Sequence, residues 1–350
     1  MKVALVKPPK IQNSVRGVGV YTTSLYEELS KIPDLHISLE EFDLSGIGYK
    51  NFDLVHFPYF DFFFLTLPVF KSAKFVVTVH DLIPLLFPAN FPPGIKGAAS
   101  WHIQKKLLER ADGLIAVSQN TAGDIVKLLN FSKQKVTVIY EAAGDIFGII
   151  KDKQILQATR EKHHLSERYL LYVGDVNYNK NISNLIRAFK KVTEEFKDIN
   201  LILIGKSFQG NIPESINLKK EINKLGLNNR VRMPGFVSQE DLVFYYNLAS
   251  LYIQPSIYEG FGLPVLEAMS CGTPVVCGKN SSFPEIGGNA AIFTNVQNPD
   301  QFAQTIIKSL TLSPAKKDQL RKKGLEQAHK FSWEKAAGET CDLYEKICSK

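Results

Sequence analysis

Cysteine is scarce: the chain has 4 in 350 residues and no C-x-x-C pair. Cys271 and Cys277 fall in one apolar segment, and Cys341 and Cys348 in a terminal helical one. That excludes a disulfide scaffold and a cysteine-based zinc module, and it fits a reducing compartment. Long hydrophobic runs are also missing. The most lipid-like stretch, FPYFDFFFLTLPVF at 57–70, is shorter than the roughly 20 residues a spanning helix needs, and Pro58, Asp61 and Pro68 interrupt it. The apolar run at 3–6 ends in Lys7-Pro8-Pro9, too short for the core of a signal peptide, and reads as a buried first strand. The expectation is a soluble, cytoplasmic chain, at most attached to the inner face of a membrane. No RNP, zinc-finger or helix-turn-helix signature is present. Lys316, Lys317, Arg321, Lys322 and Lys323 share one terminal helix and read as a solvated face, so no nucleic-acid partner is expected.

What is present is an ordinary globular composition, 45% hydrophobic and 22% charged, at a length that suggests about two domains. A net charge of +7 favours anionic partners such as phosphorylated ligands or a lipid headgroup surface. Short β-rich runs alternate with helical patterns throughout. The first half offers strands at 3–6, 37–42, 54–56, 75–79, 114–117 and 136–139, with helical stretches at 21–30, 97–110 and 121–129. The second half restarts at 169–173 and continues with 201–204, 231–233, 251–253 and 274–277, separated by helical stretches at 182–196, 215–225, 239–249 and 264–270. Such alternation implies parallel sheets with helices on both faces. The fold class is therefore α/β, two Rossmann-like doubly wound domains, expected to face each other across a cleft. The polar, Lys-rich segment 150–167 reads as the join. This places one Rossmann-like domain at 1–150, a second at 151–331, and at 332–350 a terminal helix long enough to pack back on the first domain.

The most informative segment is Glu259-Gly260-Phe261-Gly262-Leu263-Pro264-Val265-Leu266-Glu267. It follows a strand and opens a helix at Pro264. Gly260 and Gly262 permit close backbone approach, and N–H groups around Phe261, Gly262 and Leu263 form an anion site at the helix N-terminus. Two carboxylates bracket it. A single Glu there commonly just complements the helix dipole; two around Gly-Phe-Gly-Leu-Pro argue for a ligand.

Here the chain resembles glycosyltransferase family 4, the retaining transferases of GT-B architecture, and in particular its mannosyltransferase-like members. The E-x7-E signature stands as EGFGLPVLEAMSCGTPVV at 259–276. Arg16-Gly17-Val18-Gly19-Val20-Tyr21 matches the glycine loop after the first strand, and Thr78-Val79-His80-Asp81-Leu82-Ile83-Pro84 the T-x-H-D-L-x-P segment. Ala111 to Ser118, Gly174 to Asn181, Gly235 to Ser238 and the tail FSWEKAA at 331–337 match further segments in family order.

The resemblance implies a nucleotide-sugar donor, a glycan or lipid-linked acceptor, and site residues in specific roles. Gly17 and Gly19 would bring backbone N–H groups to the distal phosphate. His80, at the end of an apolar strand, would contact the donor sugar. Lys180 supplies a point charge for the diphosphate. The backbone of Val237 would pair with the nucleobase, Glu267 would hold the ribose, and Glu259 would sit beside the sugar hydroxyls; His80 and Glu259 are the catalytic candidates. One departure stands out: Asp175 occupies the place where many members have Arg, and Arg16 is a candidate for the missing charge. The chain has no D-x-D, the pair with which metal-dependent transferases hold a divalent ion, so neither metal nor other cofactor is expected. The His80–Pro84 segment favours GDP-mannose, with UDP-hexoses open. The aromatics of 57–70 and 87–94 suit an acceptor wall that includes Phe60, Phe62 and Phe91, although such stretches are more often core. Two other readings stay open. A nucleotide-sugar epimerase or hydrolase would need further acid/base carboxylates in the first half. A non-catalytic nucleotide- or carbohydrate-binding subunit would not need the Glu259, Glu267 and His80 set.

Overall fold

The computed structural model describes residues 1–8 and 17–349. The chain divides into two compact units, Met1–Ala142 with Phe331–Lys350, and Ala143–Lys330. The first break therefore falls ahead of the expected 150, and Phe331 goes with the terminal helix.

The first unit is built on β1 (Lys2–Val6), β2 (His36–Glu40), β3 (Leu54–Phe57), β4 (Lys74–Val79), β5 (Gly113–Ala116) and β6 (Val136–Val138). All neighbours are parallel, in the order β2-β1-β3-β4-β5-β6. Its central strands are continuous apolar runs because both faces are covered, the pattern of a parallel sheet. Val3, Ala4, Leu5, Val76, Val77, Leu114 and Ile115 are all fully buried. The helix Val18–Leu29 starts at Gly17, whose φ of 61° no β-carbon tolerates cheaply. The terminal helix Trp333–Cys348 packs Trp333, Ala336, Tyr344 and Ile347 into a cluster with Tyr21, Leu25, Val76 and Ile115, covering one face of this sheet. Lys74 Nζ caps its C-terminal end by donating to the Ile347 carbonyl at 2.9 Å.

A polar chain crosses this core. Tyr344 Oη lies 2.6 Å from His56 Nδ1, His56 Nε2 lies 2.7 Å from Thr78 Oγ1, and Thr78 Oγ1 lies 2.9 Å from Tyr21 Oη. Every partner is satisfied with a neutral imidazole, which donates through one nitrogen and accepts through the other. Burial, assisted by the nearby His80, pushes the His56 pKa down to about 3 from 6.5. The unfolded chain therefore binds a proton at His56 below pH 6.5 that the folded chain refuses until pH about 3. Stability contributed by neutral His56 is complete above pH 6.5 and is lost as pH falls through that window, at about 1.4 kcal/mol per pH unit. Denaturant titrations of wild type and His56→Gln at pH 7, 6 and 5 should show a steeper acid loss in the wild type by one proton. Parallel slopes would refute the assignment.

The second unit carries β7 (Arg168–Val173), β8 (Ile199–Ile204), β9 (Val231–Gly235), β10 (Leu251–Gln254), β11 (Val275–Gly278) and β12 (Ile292–Thr294). Its order is β12-β11-β10-β7-β8-β9, again all parallel. Chain direction along the sheet reverses between β7 and β10, which makes the gap beyond their carboxyl ends a topological switch point. The helix Ile182–Glu195 buries Leu185, Ile186, Phe189 and Val192 completely against β7 and β8, one face of an i, i+3, i+4, i+7 pattern. Segment 150–167, expected as the join, lies inside the second unit. It contains the helix Lys153–Lys162, started by Asp152, whose carboxylate accepts from the Gln154 and Ile155 amides. Among the described residues no helix is long and apolar enough to cross a membrane.

Candidate active site

In the second unit the loops after β7 and β10 meet at the switch point. The loop after β7 ends in a single 3-10 turn, Tyr178–Lys180, followed by Asn181 at φ 57°. Asn tolerates this left-handed conformation, and the Asn181 amide is fixed by donating to the carbonyls of Pro255 (3.0 Å) and Val296 (2.9 Å). Buried Asn179 stitches the two loops: its Nδ2 donates to the Tyr258 carbonyl at 3.1 Å, and its carbonyl accepts from the Ile257 amide at 2.8 Å. Lys180 is thereby held against Glu259, with Nζ 2.7 and 2.8 Å from the two carboxylate oxygens. Glu259 Oε1 also accepts from Ser256 Oγ (2.7 Å) and Gln254 Nε2 (3.1 Å). The side chains of Lys180 and Glu259 are 21% and 11% exposed, so the pair is shielded yet has an opening to solvent. Sequence reading assigned the two residues separate partners; in the structure each is the other's counterion.

Beyond Glu259 the chain turns through Gly262, at φ 115°, into the helix Leu263–Ser270. The positive φ calls for glycine, and a β-carbon at Gly262 would in addition crowd the Phe283 ring at 3.1 Å. Leu263 is the first helical residue and Pro264, which has no N–H, the second; the Val265 amide donates to the Gly262 carbonyl at 2.9 Å, so with no side-chain cap the N–H groups of Gly262 and Leu263 are the ones left for an outside acceptor among the described residues. Phe261 is buried, and its carbonyl accepts from Ser282 Oγ. Glu267 is half-buried, and its Oε2 accepts from Tyr246 Oη at 2.7 Å. Burial and the Glu267 charge both push the Tyr246 phenol upward, so it stays a donor. Val237 is buried one residue before Ser238, which caps the helix Gln239–Leu248 by accepting from the Asp241 amide. Asp175, in the place of the family's Arg, accepts from Ser207 Oγ at 2.9 Å.

In the first unit His80 lies just past β4 and gathers the loops at the carboxyl edge. Its Nε2 is 2.9 Å from the Pro58 carbonyl after β3, and its Nδ1 is 2.8 Å from Glu141 Oε1 after β6. Its carbonyl accepts from Thr121 Oγ1 after β5, and its ring meets Tyr21 edge-on at 4.8 Å. The His80 pKa is raised: burial alone would lower it, but the hydrogen bond and charge of Glu141, the Pro58 carbonyl and Asp81 outweigh burial. Glu141, 5% exposed, was missed from the sequence. Its only signal is a carboxylate just past the sixth strand, at the edge where ligands bind. Gly17 starts the helix as expected, but Gly19 lies inside its first turn and not in the loop. Arg16 lies outside the described residues.

The acceptor wall needs correction. Phe60 and Phe62 are 6% and 5% exposed and pack edge-on against each other and near Trp101, in the core of the first unit. They have no free ring face for a sugar. Phe91 is half-buried, and the accessible aromatic rings of this stretch are Phe64 and Phe70. All four cysteines are free, and burial pushes the Cys271 and Cys277 thiols upward, which makes them inert. Among the described residues no three His, Cys, Asp or Glu side chains are grouped to hold a metal ion.

Comparison with known proteins accords with this arrangement. Residues 7–142 match the Glycosyltransferase Family 4 model, and residues 156–327 match the Glycosyl transferases group 1 model. The chain is 29% identical over 277 residues to O-antigen chain mannosyltransferase B of Escherichia coli, covering 78% of this chain and 71% of that protein. It is 30% identical over 268 residues to the serotype-specific mannosyltransferase WbdA of Escherichia coli, covering 75% of this chain but only 32% of that longer protein. Among solved structures, sucrose-phosphate synthase from Thermosynechococcus elongatus superposes with a TM-score of 0.78 at 19% identity, over 99% of both chains. Anabaena HepE in complex with UDP-glucose superposes with a TM-score of 0.77 at 17% identity, over 99% of this chain and 100% of that one. With two all-parallel Rossmann-like units and both family models matched in order, the chain belongs to the family 4 glycosyltransferases of GT-B fold.

Proposed function

We propose that this glycosyltransferase moves a hexose from a nucleotide-diphosphate sugar to a hydroxyl of a glycan or lipid-linked acceptor in polysaccharide synthesis, with retention of configuration. The observation that carries the reading is the switch point of the second unit, where Lys180, Glu259 and an uncapped helix N-terminus converge. A diphosphate matches the helix N-terminus and Lys180. Sugar hydroxyls match Glu259, and ribose hydroxyls match Glu267. Charge developing on the departing phosphate is met by fixed N–H dipoles and Lys180, with no divalent ion in the scheme. GDP-mannose is the favoured donor, supported by the mannosyltransferases among the relatives. UDP-hexoses are the second choice, supported by the UDP-glucose bound in Anabaena HepE.

Peripheral attachment to an anionic membrane belongs to the same reading. The outer side of the helix Gly94–Leu108 exposes Ile95 (93%) and Ile103 (47%) beside exposed Lys96 and Lys106, and Phe64 is 69% exposed. Apolar groups among lysines suit an acidic headgroup surface. Co-sedimentation with phosphatidylglycerol vesicles, reduced in Ile95→Asp, is the expected result; equal partitioning of the two proteins would oppose it.

The function itself is tested by supplying GDP-mannose, UDP-glucose and ADP-glucose with and without a mannan oligosaccharide, in buffer and in EDTA. Acceptor-dependent release of GDP, unaffected by EDTA, is expected. Release independent of acceptor would point to a hydrolase, and nucleotide binding without turnover to a binding subunit.

A further inference from the structure

His80 is bonded at both ring nitrogens, and the identity of the partners fixes its protons. The Pro58 carbonyl has no hydrogen to give, so Nε2 carries one and donates it across 2.9 Å. Nδ1 faces Glu141 Oε1 at 2.8 Å, a distance that requires a proton between them. The pair thus holds one proton more than a neutral imidazole beside an ionised carboxylate. Glu141 is 5% exposed, and among the described residues its side chain makes no other hydrogen bond or ion pair. A buried carboxylate used on one ring alone is costly as a mere tie between loops, since an amide would bridge them without a charge.

The other titratable groups around the ring agree on where the proton sits. Asp81, next in the chain, is negative and accepts from the Ile83 amide at 2.9 Å. His56, beneath on β3, is held neutral, and Tyr21, on the helix after β1, is a phenol kept protonated by burial. Among the described residues, Glu141 and Asp81 both favour the imidazolium.

We propose that Glu141 is a positioning residue that keeps His80 doubly protonated, so that His80 serves glycosyl transfer as a fixed cation and not as a base. The proposal rests on the transferase reading for its consequence in turnover, but not for the protonation state. With both N–H groups engaged, the ring acts through its charge. The 20% of the His80 side chain that remains exposed presents that charge at the carboxyl edge of the sheet. An anionic substrate group is the chemical class it would favour. A cation there gains its effect as negative charge grows on the leaving oxygen. Glu141 would then be the largest of the influences that hold that cation against deprotonation, ahead of the Pro58 carbonyl and Asp81.

Ring-15N spectra of histidine-labelled protein, with His80 assigned by its absence in His80→Gln, read the protonation directly. Two ring protons on His80 at pH 7 in the wild type are expected, and one ring proton at that pH overturns the proposal. In Glu141→Gln the second proton should be lost at a lower pH than in the wild type. With the donor found above, kcat of Glu141→Gln should fall about tenfold at pH 8 and less at pH 6, with the donor KM little changed. Glu141→Asp should restore part of the alkaline limb. A Glu141→Gln profile that overlays the wild type would also overturn it. Should no sugar nucleotide turn over, the transferase reading fails and the spectra alone decide the charge state.

Discussion

Glu259→Gln should lower kcat by about two to three orders of magnitude while leaving donor binding intact or tighter. Glu259 is tied by four short contacts to Lys180, Ser256 and Gln254. Glutamine keeps one acceptor oxygen for Ser256 and Gln254 but turns an NH2 toward Lys180 Nζ, two donors face to face. Lys180 then loses its counterion and swings to whatever anion is present, the diphosphate first. Ground-state affinity is kept by that free charge; what disappears is the carboxylate beside the sugar and the fixed position of the lysine. Stability should fall by about 1–3 kcal/mol, less than for a deeply buried pair because the lysine is partly solvated. Steady-state kinetics with unfolding curves check this. Unchanged kcat would remove Glu259 from the chemistry, and raised KM at constant kcat would make it a binding group only.

Gly205→Ala is expected to have the largest effect on folding of any single methyl added to the second unit. A β-carbon at Gly205 would lie 2.0 Å from the Gly174 carbonyl oxygen and 2.9 Å from its carbon. Both obstacles are backbone, so no side chain can move aside. The ends of β7 and β8 would have to part, breaking the Gly174 amide bond to the Ile204 carbonyl at 2.9 Å. Overpacking of this kind costs about 1–3 kcal/mol or more. It also shifts the loop that carries Lys180, so activity should fall further than stability alone explains. Gly17→Ala is the contrast: nothing lies within 4 Å of its added carbon, and only the backbone at φ 61° and ψ −117° is strained, at about 1–3 kcal/mol. A thermal midpoint for Gly205→Ala equal to that of the wild type would contradict the packing argument.

Much of this architecture can be read from the chain. Runs such as Leu170-Leu171-Tyr172-Val173 and Leu201-Ile202-Leu203-Ile204 are apolar on both faces, and only a covered parallel strand explains that. The E-x7-E segment is legible because glycine, proline and two carboxylates at fixed spacing leave few other uses. What failed did so for physical reasons. Strand order is a tertiary property, so nothing local says that the first sheet reverses at β1 and β3 and the second at β7 and β10. The helix Lys153–Lys162 buries only Thr159 within itself and so shows little apolar stripe. Strand β12 has three half-buried residues at a sheet edge, too few for a pattern. Phe60 and Phe62 look like a binding surface because Pro58 and Asp61 interrupt the run. In fact Asp61 caps a turn through the Phe63 and Phe64 amides and folds both rings inward. Lys180 pairs with Glu259, and His80 with Glu141, across 79 and 61 positions, beyond any spacing rule.

The central claim is that the Glu259-to-Glu267 loop and helix hold the donor nucleotide. Calorimetric titration of GDP into wild type and Glu267→Ala tests it most directly. Saturable binding by the wild type, weakened at least about tenfold (1.4 kcal/mol) in the variant, is the predicted result. Equal affinity in both proteins would contradict the account.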